Sequence, residues 1–143
     1  MLVLMSGTAL GVDISSCTTI SSPGTYNLTT DILSSSATQC IIITSSNVVF
    51  DGGNHRIQGR NTTNSYGIHV GSGSTLSNVV VRNIRVEHWY YGIYFDDVDY
   101  STIEDNTYSY NYKGIYLEGD YNNIKITTPT DYALAKIIEK SIF

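Results

Sequence analysis

Carboxylates and aromatic rings are the side chains here whose types and spacing suit chemistry. Asp96, Asp97 and Asp99 form an acidic run, and Glu118 stands 22 residues after Asp96. Two carboxyl groups about 5–5.5 Å apart serve retaining glycoside hydrolysis, and carboxylate oxygens also hold Ca²⁺. Asp96 and Glu118 are therefore the candidate catalytic pair, and Asp96, Asp97 and Glu118 the candidate Ca²⁺ ligands. Solvated surface acids are the plainer alternative, and no other cofactor is expected. The second set is aromatic. Flat rings suit the apolar faces of sugars and also make sticky protein surfaces. His69, Trp89, Tyr94 and Tyr116 are the candidate ligand-binding residues. A tyrosine ladder that merely covers the sheet beneath it is the structural alternative.

These residues are positioned by a repeat. The chain reads YGIHV from Tyr66, YGIYF from Tyr91 and KGIYL from Lys113. From Gly67 to Gly92 is 25 residues, and from Gly92 to Gly114 is 22. Self-similarity at this period, built from β-formers and Asn/Gly turns, marks a solenoid. Strand side chains alternate faces. Ile68, Ile93 and Ile115 are assigned inward with Val70, Phe95 and Leu117. His69, Tyr94 and Tyr116 are then outward, followed by Gly71, Asp96 and Glu118. A second strand aligns Val49, Val80, Ile103 and Ile124 inward, and a third aligns Ile57, Val86 and Tyr108. Asn83 and Asn106 are expected at equivalent corners as a side-chain ladder. Asp51-Gly52-Gly53-Asn54-His55 reads as a turn, not a catalytic loop. Three strands per coil predict an all-β triangular prism of about four parallel coils over residues 12–126.

Composition narrows the class. Only 15% of the 143 residues are charged and the net charge is −5. A nucleic-acid partner would want a basic stripe instead. No run of about 20 apolar residues exists to span a membrane. Residues 1–11 read as a truncated signal peptide cut before Val12. Cys17 and Cys40 are 23 residues apart, close to one coil, so they can lie one above the other. A disulfide is expected, with two buried thiols as the alternative. Residues 127–143 form a tail in which Leu134, Ile137, Ile138 and Ile142 sit at helical spacing, predicting a short helical cap.

The run SSPGTYNLTTDI followed by IIITSSNVVFDGGNHRI resembles the opening of right-handed parallel β-helix surface proteins, a type abundant in archaea. These belong to the pectin-lyase-like superfamily, whose short-repeat members are termed CASH or NosD-like. The likeness covers Cys17 to Ile126. It implies a right-handed parallel β-helix, and leaves the chemistry open, because one fold hosts many functions. Polygalacturonase-like members carry an Asp pair followed by Gly-His-Gly. Asp96-Asp97 is similar to the first, but no Gly-His-Gly follows. The NosD-like link to copper delivery meets three separated histidines, His55, His69 and His88, and two cysteines expected to pair. The expected function is an exported extracellular or cell-surface module that binds polysaccharide or another surface protein without catalysis. A truncated polysaccharide lyase or glycoside hydrolase and a structural envelope spacer are the alternatives.

Overall fold

A computed structural model describes residues 10–127. The expected signal peptide falls outside the described residues except for Leu10 and Gly11. The expected C-terminal helix lies outside them entirely.

The described chain is an all-β parallel solenoid of about five turns. Three faces recur. Thr18–Ile20, Gln39–Ile43, Tyr66–Val70, Tyr91–Asp96 and Lys113–Glu118 stack into the tyrosine face. Val12–Ile14, Gly24–Leu28, Val48–Asp51, Val79–Arg82, Thr102–Glu104 and Lys125–Thr127 stack into the valine face. Arg56–Gln58, Arg85–Glu87 and Thr107–Ser109 form the third face. A two-stranded ribbon, Leu76–Ser77 with Val98–Asp99, lines one corner. The fifth turn comes from residues 12–28, which carry no repeat glycine yet pair in register. Val12 aligns with Tyr26, and Thr18 with Ile41.

The inward columns of the tyrosine face are as expected. Ile41, Ile68, Ile93 and Ile115 form one, and Ile43, Val70, Phe95 and Leu117 the other. All are buried. Each such side chain contributes about 1.5–3 kcal/mol relative to exposure, and the burial exists only because coils stack. The third column, Ile57, Val86 and Tyr108, is also in register.

The valine face differs from the expected column: Val49 and Val80 each fall one residue before the inward position, Ile103 occupies it, and Ile124 falls two residues before it. Val49 pairs with Val80, but Val80 pairs with Thr102, and Ile103 pairs with Val81 and Ile126. The inward column is therefore Phe50, Val81, Ile103 and Ile126. Three successive apolar residues, as in Val79-Val80-Val81, carry no alternation, so only the polar Thr102 and Lys125 mark the outward side. The corner shifts with it. Asn83 aligns with Asp105, both at φ 55°. Asn106 instead lies under Ile84 and is buried. Its Oδ1 accepts from the Ile84 N–H and its Nδ2 donates to the Val81 carbonyl, each at 3.1 Å. Asn111 treats the Trp89 N–H and the Val86 carbonyl alike, both at 2.9 Å. Buried backbone groups demand partners, and these two amides supply them where the chain turns. A true asparagine ladder occurs elsewhere: Asn78 donates to Asn47 at 2.8 Å, both at positive φ.

Trp89 is a further correction. It is 1% exposed, so it is a core residue and not part of a ligand surface. Its indole N–H donates to the Ile57 carbonyl at 3.1 Å. A Cβ on Gly67 would lie 2.7 Å from the Gly92 carbonyl oxygen and 3.0 Å from the indole, and one on Gly59 would lie 2.8 Å from the indole. The two glycines thus make the space the ring fills. Cys17 and Cys40 are joined, with Cα atoms 4.4 Å apart, tying the first turn to the second. Closing a loop of this length stabilises by about 3 kcal/mol.

Trp89→Ala is expected to cost about 3–5 kcal/mol by leaving a cavity, and Gly67→Ala about 1–3 kcal/mol by overpacking. Urea unfolding of both variants checks this. A Gly67→Ala chain as stable as the parent would show that the indole does not need that space.

Candidate functional site

The repeat brings the outward side chains of the tyrosine face into one patch. His69, Tyr94 and Tyr116 are register neighbours, as are Tyr66 and Tyr91 in the adjoining column. Strand neighbours lie about 4.8 Å apart, which leaves their rings no choice but contact. Tyr66 stacks on Tyr91 with ring centres 5.2 Å apart, and Tyr94 on Tyr116 at 5.5 Å. The columns interlock edge to face. Tyr66 meets Tyr94 at 5.1 Å, and His69 meets Tyr94 at 5.1 Å. All five rings are half-buried. Tyr66 and Tyr91 were not among the sequence-derived ligand residues. Their signal was available, because each opens a repeat one residue before its glycine.

Carboxylates rim the patch. Asp96 and Glu118 are register neighbours, as their spacing suggested. The Tyr94 hydroxyl donates to the Glu118 carboxylate. Burial, with the Glu118 hydrogen bond and the nearby negative charges, pushes the Tyr94 phenol well above its ordinary range. Tyr66 and Tyr91 are raised too, by burial first; Glu118 and Asp96 add to this at Tyr66, and the neighbouring tyrosines followed by Glu118 add to it at Tyr91. Asp97 and Asp99 are used differently. Asp97 accepts from the Asp120 N–H at 2.7 Å, and Asp99 from the Asn122 N–H at 2.9 Å. They fix the corner of the next coil, so Asp97 is held away from the Asp96–Glu118 pair.

The three histidines serve three separate places. His55 contacts Asp31 at 3.3 Å. His88 accepts from Asn61 and stacks on Tyr110, with ring centres 5.0 Å apart. His69 joins the patch: its Nδ1 lies 2.7 Å from Gln39 Oε1, which can only accept, so Nδ1 carries the proton. Nε2 then holds a lone pair, buried and without a partner. Burial lowers the His69 pKa, and the Asp96 charge partly opposes it.

These features define a class: a disulfide-bonded parallel β-solenoid that carries an aromatic face edged with acid. The chain belongs to the NosD family, whose model, described as periplasmic copper-binding protein (NosD), matches residues 10–130. No curated protein and no solved structure matches it at a significant level. A periplasmic family and a disulfide, which forms in oxidising compartments, make this an exported module, extracellular or at the cell surface. Among the described residues no helix is long and apolar enough to cross a membrane.

Copper, which the family's description names, does not fit the donors among the described residues. Both cysteine sulfurs are in the disulfide. Among the described residues no three His, Cys, Asp or Glu side chains come together to hold a metal. His69 Nε2 offers one nitrogen lone pair, and its surroundings are phenol rings with Asp96. Soft or imidazole-rich copper sites need more than that. The same observation leaves the acidic trio without a gathered Ca²⁺ cage.

His69 is expected to titrate below its ordinary 6.5, and Asp96→Asn is expected to lower it further by removing the charge that favours imidazolium. The folded chain then resists protonation. Stability tied to this group is complete above 6.5 and is lost as pH falls towards the folded value. Imidazole NMR titration reads this directly. A His69 pKa above 6.5 would contradict the buried, neutral assignment.

Proposed function

We propose that this chain is a non-catalytic carbohydrate-binding module and that its tyrosine face is the binding surface. The observation that supports the reading is the gathering of Tyr66, His69, Tyr91, Tyr94 and Tyr116 into one contiguous patch on an outer face. Outward positions of a solenoid are ordinarily polar, and an exposed apolar patch marks an interaction surface. Rings that each carry a polar hydroxyl match sugars, which present C–H faces and hydroxyl rims. The flat sheet beneath suits an extended polymer lying across the coils. Asp96 and Glu118 contribute hydrogen-bond acceptors. Glu118 is committed to Tyr94, which suits it to holding a ring in place more than to attacking a sugar.

Binding to a panel of neutral, amino and acidic oligosaccharides is the test. Replacing Tyr94 and Tyr116 together by Ala is expected to weaken binding about 5- to 160-fold, since each aromatic contact is worth about 0.5–1.5 kcal/mol. Tyr110→Ala, at an exposed corner, is expected to change nothing. Binding untouched by the double substitution would place the ligand elsewhere. Release of reducing or unsaturated sugar that Asp96→Asn abolishes would replace the non-catalytic reading with an enzymatic one.

A further inference from the structure

We propose that the sugar this face takes is cationic, a polymer of amino sugars with free amines, and not an acidic polysaccharide. The inference rests on the carbohydrate-binding reading and names its ligand class. Its ground is charge. Asp96 and Glu118 edge the patch side by side, and among the described residues neither enters an ion pair. The four ion pairs among the described residues involve Asp31, Asp51 and Glu87, on the valine and third faces and the turn leading to the third. Among the described residues, the one lysine or arginine in the patch's own columns is Lys113, and its ammonium lies over the Tyr112 ring, 5.3 Å from the centre, at the corner.

The carboxylates' field spans the patch. It acts on Tyr66, Tyr91 and Tyr94, and on His69 through Asp96. His69 is held neutral by burial, so it adds no positive charge to compensate. The surface is therefore aromatic and negative together. An ammonium gains from both, through the quadrupole of the rings and through the carboxylates. A uronate would meet two carboxylates with no cationic partner at close range and be repelled. The whole chain, at −5, adds to the same sign.

Calorimetric titration with three hexamers of similar size separates the outcomes: β-1,4-linked glucosamine, its fully N-acetylated form, and oligogalacturonate. The glucosamine hexamer is expected to bind about tenfold tighter than the acetylated one at low salt, as two exposed charge contacts and a cation–π contact allow. That advantage is expected to shrink as salt is raised. Asp96→Asn combined with Glu118→Gln is expected to reduce the ratio of the two affinities to about 2–5-fold, which the cation–π contact alone supports. Glutamine at 118 retains an acceptor for Tyr94, and a matching circular dichroism spectrum and unfolding midpoint confirm that the variant folds. Equal affinity for the free and acetylated amines, or tighter binding of oligogalacturonate, overturns the cationic assignment while leaving carbohydrate binding standing. A chain that binds none of the three overturns both.

Discussion

Everything in this chain depends on parallel, in-register hydrogen bonding between successive coils. One coil has no core of its own; its isoleucines and valines become buried only when the next coil is laid about 4.8 Å away. The same constraint governs the outside. Residues one period apart in sequence are forced into side-chain contact, whatever their chemistry. His69, Tyr94 and Tyr116 meet for the same reason that Ile68, Ile93 and Ile115 do.

Corners are where this arrangement is hardest to satisfy, since the ladder breaks and backbone groups turn inward. Small polar side chains meet that demand. Ser65 accepts from the Tyr90 N–H at 3.1 Å, and Ser101 from the Val79 N–H at 2.9 Å, in the same manner as Asn106 and Asn111. Asp51 does related work at another turn. Burial opposes its charge, but hydrogen bonds from Gly53, Arg82 and Asn83 outweigh this and hold its carboxyl below the usual range. With the corners made by such residues, the outward positions of the long faces are not needed to satisfy the turns. The tyrosine patch stands on one of these faces.

What could be read without coordinates followed from how strictly each stretch alternates. The tyrosine face was legible because a glycine marks its register and polar residues separate its apolar ones. Asp96 beside Glu118 followed from the same spacing. On the valine face, Val49 and Val80 read as inward, one residue off, because Val48-Val49-Phe50 and Val79-Val80-Val81 are apolar throughout; Ile103 reads correctly, and Ile124 reads as inward in place of Ile126 because the two isoleucines share one parity. The first turn went uncounted because no glycine marks it. In the sequence Trp89 reads as a surface residue because it adjoins Tyr90 and Tyr91 at a corner, where period-two alternation lapses. Its burial depends on space left by Gly59 and Gly67, which are distant in sequence. The interlocking of two aromatic columns into one patch is likewise a property of adjacent columns that a single repeat does not reveal.

The account's central claim is that the tyrosine face is the ligand surface, and hydroxyl-radical footprinting tests it most directly. The chain would be oxidised with and without a mixture of glucosamine and N-acetylglucosamine oligomers, and modification read at each tyrosine. Protection is predicted at Tyr66, Tyr91, Tyr94 and Tyr116, with the exposed corner residues Tyr100 and Tyr110 unchanged. Protection at Tyr100 or Tyr110 with the face left unprotected would contradict it.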